Sequence, residues 1–313
     1  MRGRKITRLY GMIPAAAGIL ALGEYYYLPN YNNQAGTEVY PAFLKILLAC
    51  VMLLGVLSFF IDPVWEYLRE HVPWYTVIFL IFLIYDHITL KKGIFTLPMF
   101  PGPDKLMSEM VLDRGILLDC AKNSLFLLFR GYLLGIFTGL VCGLLAGQFS
   151  GVRYWIAPLL KVIGPIPAVT WMALIFVLAP SLAMGCVIMV AYSVWYPVTS
   201  GTMNGILRVD KAYYEAAQML GARSSLQLIR RVTIPMILPD LFQGLVAGMR
   251  AACASLMIAE MMGVESGLAW YITWQRGWGN FTKMYTAVAA ICITFLIVDF
   301  ILNVIKRKVI RWK

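Results

Sequence analysis

Residues 124–148 read Ser124-Leu-Phe-Leu-Leu-Phe-Arg-Gly131-Tyr-Leu-Leu-Gly135-Ile-Phe-Thr-Gly139-Leu-Val-Cys-Gly143-Leu-Leu-Ala-Gly147-Gln148. An α-helix needs roughly 20 mostly apolar residues to cross the hydrocarbon of a bilayer, and this run supplies them. Its glycines recur at every fourth position without a gap. At about 3.6 residues per turn they draw a stripe along one face. Small residues at that spacing let two helix backbones touch. The segment is therefore predicted to be a membrane span packed against a second helix over its whole length, either as a static seam or as one that slides.

The same signal repeats on both sides. Apolar runs at 8–28, 42–61, 74–90, 155–179, 182–204, 237–262 and 284–305 make, with this one, about eight spans. Composition agrees. The chain has 313 residues, 60% hydrophobic and 14% charged, with a mean hydropathy of +0.74. A soluble domain is nearer about half apolar and about a quarter charged. The predicted fold class is all-α, a polytopic membrane protein, because helices satisfy their own backbone groups in lipid. A basic stretch precedes the first run, as in a signal peptide, but no small-x-small site followed by a soluble domain appears, and a retained span is expected.

The formal charge is +11. The positives gather at span ends: Arg2, Arg4, Lys5 and Arg8 at one terminus, and Lys306, Arg307, Lys308, Arg311 and Lys313 at the other. That is a topological signal and excludes nucleic acid as the expected partner. An even number of spans puts both termini on one side, which the positive-inside rule makes cytoplasmic. Arg208, Lys211, Arg223, Arg230 and Arg231 then face the cytoplasm too. Two segments strain the rule. The stretch from Asp62 to Glu70 is acidic on balance, and the outward 91–123 loop carries Lys91, Lys92, Lys105, Arg114 and Lys122. Within that loop, Leu97-Pro-Met-Phe-Pro-Gly-Pro103 reads as a rigid turn, followed by a short amphipathic helix from Asp104, on the outer surface or as a plain linker.

Five of the six cysteines lie in apolar runs and none is at CxxC spacing, so packing is expected of them. His71 and His87 are too few for a metal cluster, and no metal site is expected. No Walker motif, Ser-His-Asp set or paired-carboxylate site is present. Catalysis by this chain, and a cofactor of its own, are not expected.

One polar segment sits between apolar runs: Asp210-Lys-Ala-Tyr-Tyr214-Glu215-Ala216-Ala217-Gln-Met-Leu-Gly221, continuing to Arg230-Arg231-Val-Thr-Ile-Pro235. Asp210 fits an N-cap and Gly221 a C′ residue, which gives about ten helical residues. Ala216 and Ala217 leave a bare face, Glu215 offers an acceptor, and Tyr213, Tyr214 and Met219 offer apolar anchors. The plainer reading is an ordinary surface helix between spans.

The segment resembles the cytoplasmic coupling signature of ABC importer membrane subunits, in which Glu-Ala-Ala and a following Gly dock the permease onto its ATPase. From about Trp74 to Lys313 the order of features is similar to the nitrate/sulfonate/taurine/bicarbonate branch of those permeases. The carriers are Leu97-Pro…Pro101-x-Pro103, Gly164-Pro-Ile-Pro167, the coupling segment, Gly244-Leu-Val-Ala-Gly-Met-Arg250, Ala259-Glu260-Met261, Gly267-Leu-Ala-Trp-Tyr and the basic tail ending Arg311-Trp-Lys. The resemblance implies a type I importer-like core of five or six spans over 74–313, with the coupling helix at about 208–234, behind a two-span extension over 1–73. It implies Tyr214, Glu215, Ala216, Ala217, Gly221 and Pro235 as coupling residues. The implied partners are two ABC ATPase subunits that bind ATP and Mg, a second permease copy or paralogue, an extracytoplasmic substrate-binding protein, and membrane lipid. The implied location is the inner membrane of a bacterial or archaeal cell. Gly221 to Pro235 spans fourteen residues, one more than the family pattern, which predicts a shifted second half of the hairpin.

Pro165 and Pro167 break the fifth run, and backbone freed at membrane depth is tolerated where it lines a cavity. Discontinuous helices of this kind form solute sites. The translocation pathway is therefore expected beside Pro165, Pro167, Thr170 and Trp171, the alternative being a merely kinked helix. Ionisable groups inside spans are Asp86, Lys161, Arg250, Glu260 and Asp299. Arg250 and Glu260 stand ten residues apart, about 15 Å along a helix, too far to pair with each other. Arg250 suits an anion in the pathway and Glu260 an outer gate or a binding-protein contact. A pair with another span is open for each. Trp270, Tyr271, Trp274, Arg276, Trp278 and Lys283 crowd the last outer loop, as an interfacial belt or a docking site.

The predicted function is the membrane permease subunit of an ABC importer, moving a small polar or anionic solute. A gradient-driven secondary transporter and a structural subunit of a membrane complex remain as alternatives.

Overall fold

The computed structural model describes residues 10–31, 36–95, 97–222 and 224–309. Arg2, Arg4, Lys5, Arg8, Arg223, Arg311 and Lys313, all used in the topology argument, lie outside the described residues. Among the described residues every regular element is a helix. The chain divides into two compact units, Met1–Gly115 with Trp274–Ala287, and Ile116–Thr273 with Val288–Lys313.

In the first unit, α1 (Ile13–Tyr27), α2 (Val39–Phe60) and α3 (Asp62–Asp86) pack on one another. Pro14 and Pro63 sit in first turns, where a missing N–H leaves nothing unsatisfied. The buried core is Ala17, Tyr40, Leu44, Val51 and Phe79. A π-helical turn, His87–Lys91, prolongs α3. The expected boundary after residue 73 falls inside α3, which runs through Pro73 without a break. The amphipathic helix after Pro101 is α4 (Pro103–Leu112). It is strapped down at several points. The Thr37 hydroxyl donates to the Asp104 carbonyl at 3.1 Å and the Tyr85 hydroxyl to the Pro101 carbonyl at 2.6 Å. At its far end Lys283 Nζ lies 2.8 Å from Asp113 Oδ2.

The second unit holds most of α5 (Arg114–Gln148), then α6 (Ser150–Ile163), α7 (Met172–Leu178), α8 (Leu182–Leu207), α9 (Lys211–Met219), α10 (Ser225–Leu228) and α11 (Ile234–Met261). It also takes the larger parts of α12 (Leu268–Gly277) and α13 (Phe281–Val309). The glycine stripe of α5 faces α8, as its spacing predicts. A Cβ on Gly131 would stand 2.6 Å from Val190 Cβ, on Gly135 2.6 Å from the Ala191 carbonyl, and on Gly143 2.6 Å from Thr202 Cβ. On α11, Gly244 repeats the device, with a Cβ position 2.7 Å from the Pro197 carbonyl. Helix α8 is thus clasped between α5 and α11, and Leu128, Met189, Val194, Val198, Met249 and Leu256 fill the core around it. In lipid such packing holds helices together through contact rather than through expulsion of water.

Among the described residues, six helical segments are long and apolar enough to cross a membrane: Val39–Phe60, Asp62–Lys91, Arg114–Gln148, Leu182–Leu207, Ile229–Met261 and Phe281–Val309. A seventh is α6 with residues 168–178, bent by 96° at the break between them. The remaining expected span, 8–28, is described from Tyr10. Its helix α1 has 15 residues, fewer than the roughly 20 that a span takes. The fold class stands, and the segments that qualify by length and composition number six or seven.

Candidate functional site

The polar segment between α8 and α11 is built by local capping. The Ala212 N–H donates to Asp210 Oδ1 at 3.0 Å, which starts α9. Gly221 ends it at φ +94, a left-handed conformation that costs a side chain about 1 kcal/mol or more. There the Ala222 N–H donates to the Ala217 carbonyl and the Gly221 N–H to the Gln218 carbonyl, both at 3.0 Å. Glu215 and Ala216 are exposed and Ala217 is half-buried. Met219, the last residue of α9, and the capping Leu220 are 91% and 87% exposed, the barest apolar side chains of the segment.

Tyr214 faces the other way. Its hydroxyl lies 3.1 Å from Thr233 Oγ1, to which Gln148 Nε2 also donates at 3.3 Å. Thr233 is fully buried. Helix α9 is therefore tied to the foot of α5 and to the approach of α11. Arg208 Nη1 reaches Asp240 Oδ1 at 3.2 Å and ties the end of α8 to α11. Ile229–Thr233 forms a π turn in which the Ile234 N–H donates to the Ile229 carbonyl. A π ring closes over one more residue than an α ring. Pro235 lands in the first turn of α11.

At Gly164-Pro165-Ile166-Pro167 the chain leaves α6, passes through a 3-10 turn at Ala168–Trp171 and enters α7. A cavity of about 390 Å3 opens beside this break, lined among others by Pro167, Tyr192, Ser193, Tyr196, Ala251 and Ser255. No charged residue lines it. The Trp171 and Tyr192 rings lie 6.4 Å apart, and both Trp171 Nε1 and the Tyr192 hydroxyl are buried without a hydrogen-bond partner. Of the pathway residues expected from sequence, Pro167 lines this cavity and Trp171 stands beside it. Pro165 and Thr170 are exposed and outside its lining. The two tyrosines and the small face of α11 complete the wall beyond the residues expected from sequence. Ala247, Ala251, Ala254 and Ser255 share that face at helical spacing, a signal of the same kind as the glycine stripe.

Arg250 and Glu260 lie apart from the cavity lining. Arg250 Nε is 3.6 Å from Asp299 Oδ1, the inter-helix pair that its position in a span left open. Glu260 is 1% exposed and accepts the Ala269 N–H on Oε2 at 3.0 Å. The Leu268 N–H donates to Ser124 Oγ at 2.9 Å beside it. A carboxylate at the start of α12 meets the unsatisfied N–H groups of a helix N-terminus. Gly267, at φ +148, leaves it room: a Cβ there would stand 2.6 Å from Glu260 Cδ. Among the described residues no three His, Cys, Asp or Glu side chains are grouped to hold a metal ion.

Comparison with known proteins bears on these features together. A family model described as the binding-protein-dependent transport system inner membrane component matches residues 132–312. The match takes in the broken helix, its cavity and the capped polar helix. The chain is 25% identical over 224 residues to SsuC of Bacillus subtilis, named as a permease protein for aliphatic sulfonates transport, covering 71% of this chain and 80% of that one. It is 24% identical over 188 residues to the taurine transport system permease protein TauC of Escherichia coli, covering 59% and 66%. To the riboflavin transport system permease protein RibX of Chloroflexus aurantiacus it is 26% identical over 158 residues, covering 50% and 59%. With the family model matched over more than half its length, this helical membrane chain belongs to the binding-protein-dependent transport system inner membrane components, the membrane permeases of ABC importers.

Proposed function

We propose that this permease carries a small polar or anionic organic solute past the α6–α7 break, and that α9 passes it the work of ATP hydrolysis. The observation that carries the coupling half is the bare tip of α9. Met219 and Leu220 stand in the open on a helix whose other side is bolted to Thr233. Exposed apolar side chains on a rigid polar helix suit a partner's cleft. In this reading Tyr214, Glu215, Ala216, Ala217, Gly221 and Pro235 form the coupling element. Two ABC ATPase subunits receive it and hold the ATP and Mg, and this chain needs no cofactor. A second permease copy or paralogue completes the pathway, and an extracytoplasmic binding protein delivers the solute.

The uncharged lining beside Pro167, Tyr192 and Tyr196 supports a path that lets an anion through without trapping it in an ion pair. Selection then falls mainly to the binding protein. The relatives' names span sulfonates, taurine and riboflavin, which supports a small organic solute here. In this reading both termini and α9 face the cytoplasm, where an ATPase partner would meet them, and residues 1–73, which hold α1, α2 and the first part of α3, are an addition ahead of the core.

Glu215→Ala combined with Gly221→Pro tests the coupling. Proline fixes φ near about −65°, so it cannot take the left-handed conformation of Gly221. Reconstituted with its partners, the double variant is expected to insert normally and lose ATP-driven uptake. Undiminished uptake refutes the role of α9.

A further inference from the structure

Where α1, α2, α3 and α4 come together, three polar side chains are buried with nothing to bond. Asp86, the last residue of α3, is 1% exposed, and Asp104, in the first turn of α4, and Tyr40 are fully buried. Both carboxylate oxygens of Asp86, both of Asp104 and the hydroxyl of Tyr40 lack a hydrogen-bond partner. The two aspartates lie within electrostatic reach of each other, and Tyr40 within reach of both.

The neighbours that face this group are Glu24 and Tyr25 from α1, His87 and Lys91 from the π turn, Tyr85 from α3 and Lys105 from α4. Their bonds go elsewhere. Lys91 Nζ donates to the Tyr25 carbonyl, the Leu28 carbonyl and Asn30 Oδ1 at 2.9, 2.8 and 2.8 Å, which uses all three of its protons. His87 Nδ1 is 2.5 Å from Glu24 Oε1. The Tyr85 hydroxyl donates to Pro101 and that of Tyr25 to Thr37. None of these side chains donates to the four buried carboxylate oxygens, and the N–H groups of the Asp104 turn that face its carboxylate fall short of a full hydrogen bond.

A buried carboxylate with no partner costs several kcal/mol. Such groups persist where a ligand satisfies them. The ligand must be positive, and small enough for an enclosed joint between helices. The described residues bring no three acidic, cysteine or histidine side chains close enough together here for a divalent cage. We propose that Asp86, Asp104 and Tyr40 bind one small monovalent cation, a proton or a sodium ion, and that this ligand fastens α4 to the N-terminal helices.

The buried tyrosine hydroxyl sets this group apart from an ordinary acidic cluster, since it points to a ligand that needs a third oxygen. With both carboxylates charged and bare, α3 and α4 repel at their joint, against only the neutral bonds through Thr37 and Tyr85. Burial pushes the Asp104 carboxyl above its ordinary value, although the N–H groups of its own turn and Lys105 oppose this. A raised group stabilises the docked state at low pH and loses that contribution as pH rises through its folded value. Helix α4 also grips the head of α13, through Lys283 with Asp113 and through the Thr286 hydroxyl, which donates to the Leu106 carbonyl. Occupancy of the site therefore governs the strap that joins the added N-terminal helices to the start of α13, whatever solute the permease carries.

The test is thermal unfolding of the purified full-length chain from mildly acidic to mildly alkaline pH. It is run in sodium chloride and in choline chloride at equal ionic strength. If the ligand is sodium, the melting temperature rises with sodium and not with choline. If it is a proton, melting falls as pH rises and is blind to sodium. In either case Asp86→Asn, which removes the charge and keeps the shape, is expected to abolish the dependence. A wild-type protein indifferent to both pH and sodium overturns the proposal, and so does an equal dependence in Asp86→Asn. Should Asp86→Asn fail to insert, Tyr40→Phe removes only the hydroxyl and must shift the midpoint of the dependence. An unshifted midpoint overturns the proposal as well.

Discussion

Glu260 meets the Ala269 N–H and the Ser124 side chain, and leaves no space beside it for a methyl group. Gly267→Ala would drive a Cβ to within 2.6 Å of the Glu260 carboxyl carbon in a backbone conformation that suits glycine. A loss of about 1–3 kcal/mol is expected, seen as a lower melting temperature and easier proteolysis between residues 261 and 268. Glu260→Gln keeps an acceptor for Ala269 and is expected to cost less than Gly267→Ala. A larger loss in Glu260→Gln would mean that the charge itself, not the cap, is what the site needs. The sequence displays Glu260 as a carboxylate inside a span, and such a group must be paired. It does not display the partner, because the bonded N–H lies beyond a turn whose path is set by Gly263 and Gly267, both at positive φ.

At the scale of elements, the seam between α5 and α8 ranks its own glycines. At Gly135 the nearest obstacle is the Ala191 carbonyl at 2.6 Å, which is backbone and cannot turn aside. At Gly139 the nearest are Val198 Cβ at 3.0 Å and the Trp195 carbonyl at 3.1 Å. At Gly115, near the start of the same helix, nothing lies within 4 Å. Alanine is therefore expected to cost most at Gly135, less at Gly139 and little at Gly115, with the largest loss about 1–3 kcal/mol. Unfolding of the three variants in detergent checks the order, and an inverted order would refute the seam. The period of four made this contact legible in advance, since one face of a helix is a property of spacing alone. The ends of α9 were legible for a similar reason, because Asp210 and Gly221 act on their own turns. The break in the fifth run was announced by its two prolines. The π turn at Ile229–Thr233 was not legible in advance. Spacing counts residues but cannot say which turn widens to hold them.

For the whole molecule, the alternation of spans gives an orientation that can be measured. With α9 in the cytoplasm, α11 rises outward and α13 returns, so a reporter fused after Lys313 is expected to face the cytoplasm. A fused fluorescent protein should fold and fluoresce, and a fused periplasmic phosphatase should stay inactive. The opposite pair of results would invert the topology and remove α9 from reach of any ATPase. The fold class was readable from composition because lipid leaves so few choices. The cavity wall was not. Tyr192 and Tyr196 meet Pro167 only once α8 and α11 are in place, and in sequence they look like any aromatic residues in an apolar run.

The open tip of α9 has a bearing on how the molecule is made. Met219 and Leu220 stand 91% and 87% exposed in the finished subunit. A copy synthesised ahead of whatever covers them carries an adhesive point into the cell, of the kind that chaperones hold and proteases clear. On the proposed docking of α9, the lifetime of the subunit is tied to the supply of its companion, and a balanced rate of manufacture becomes a requirement set by two side chains.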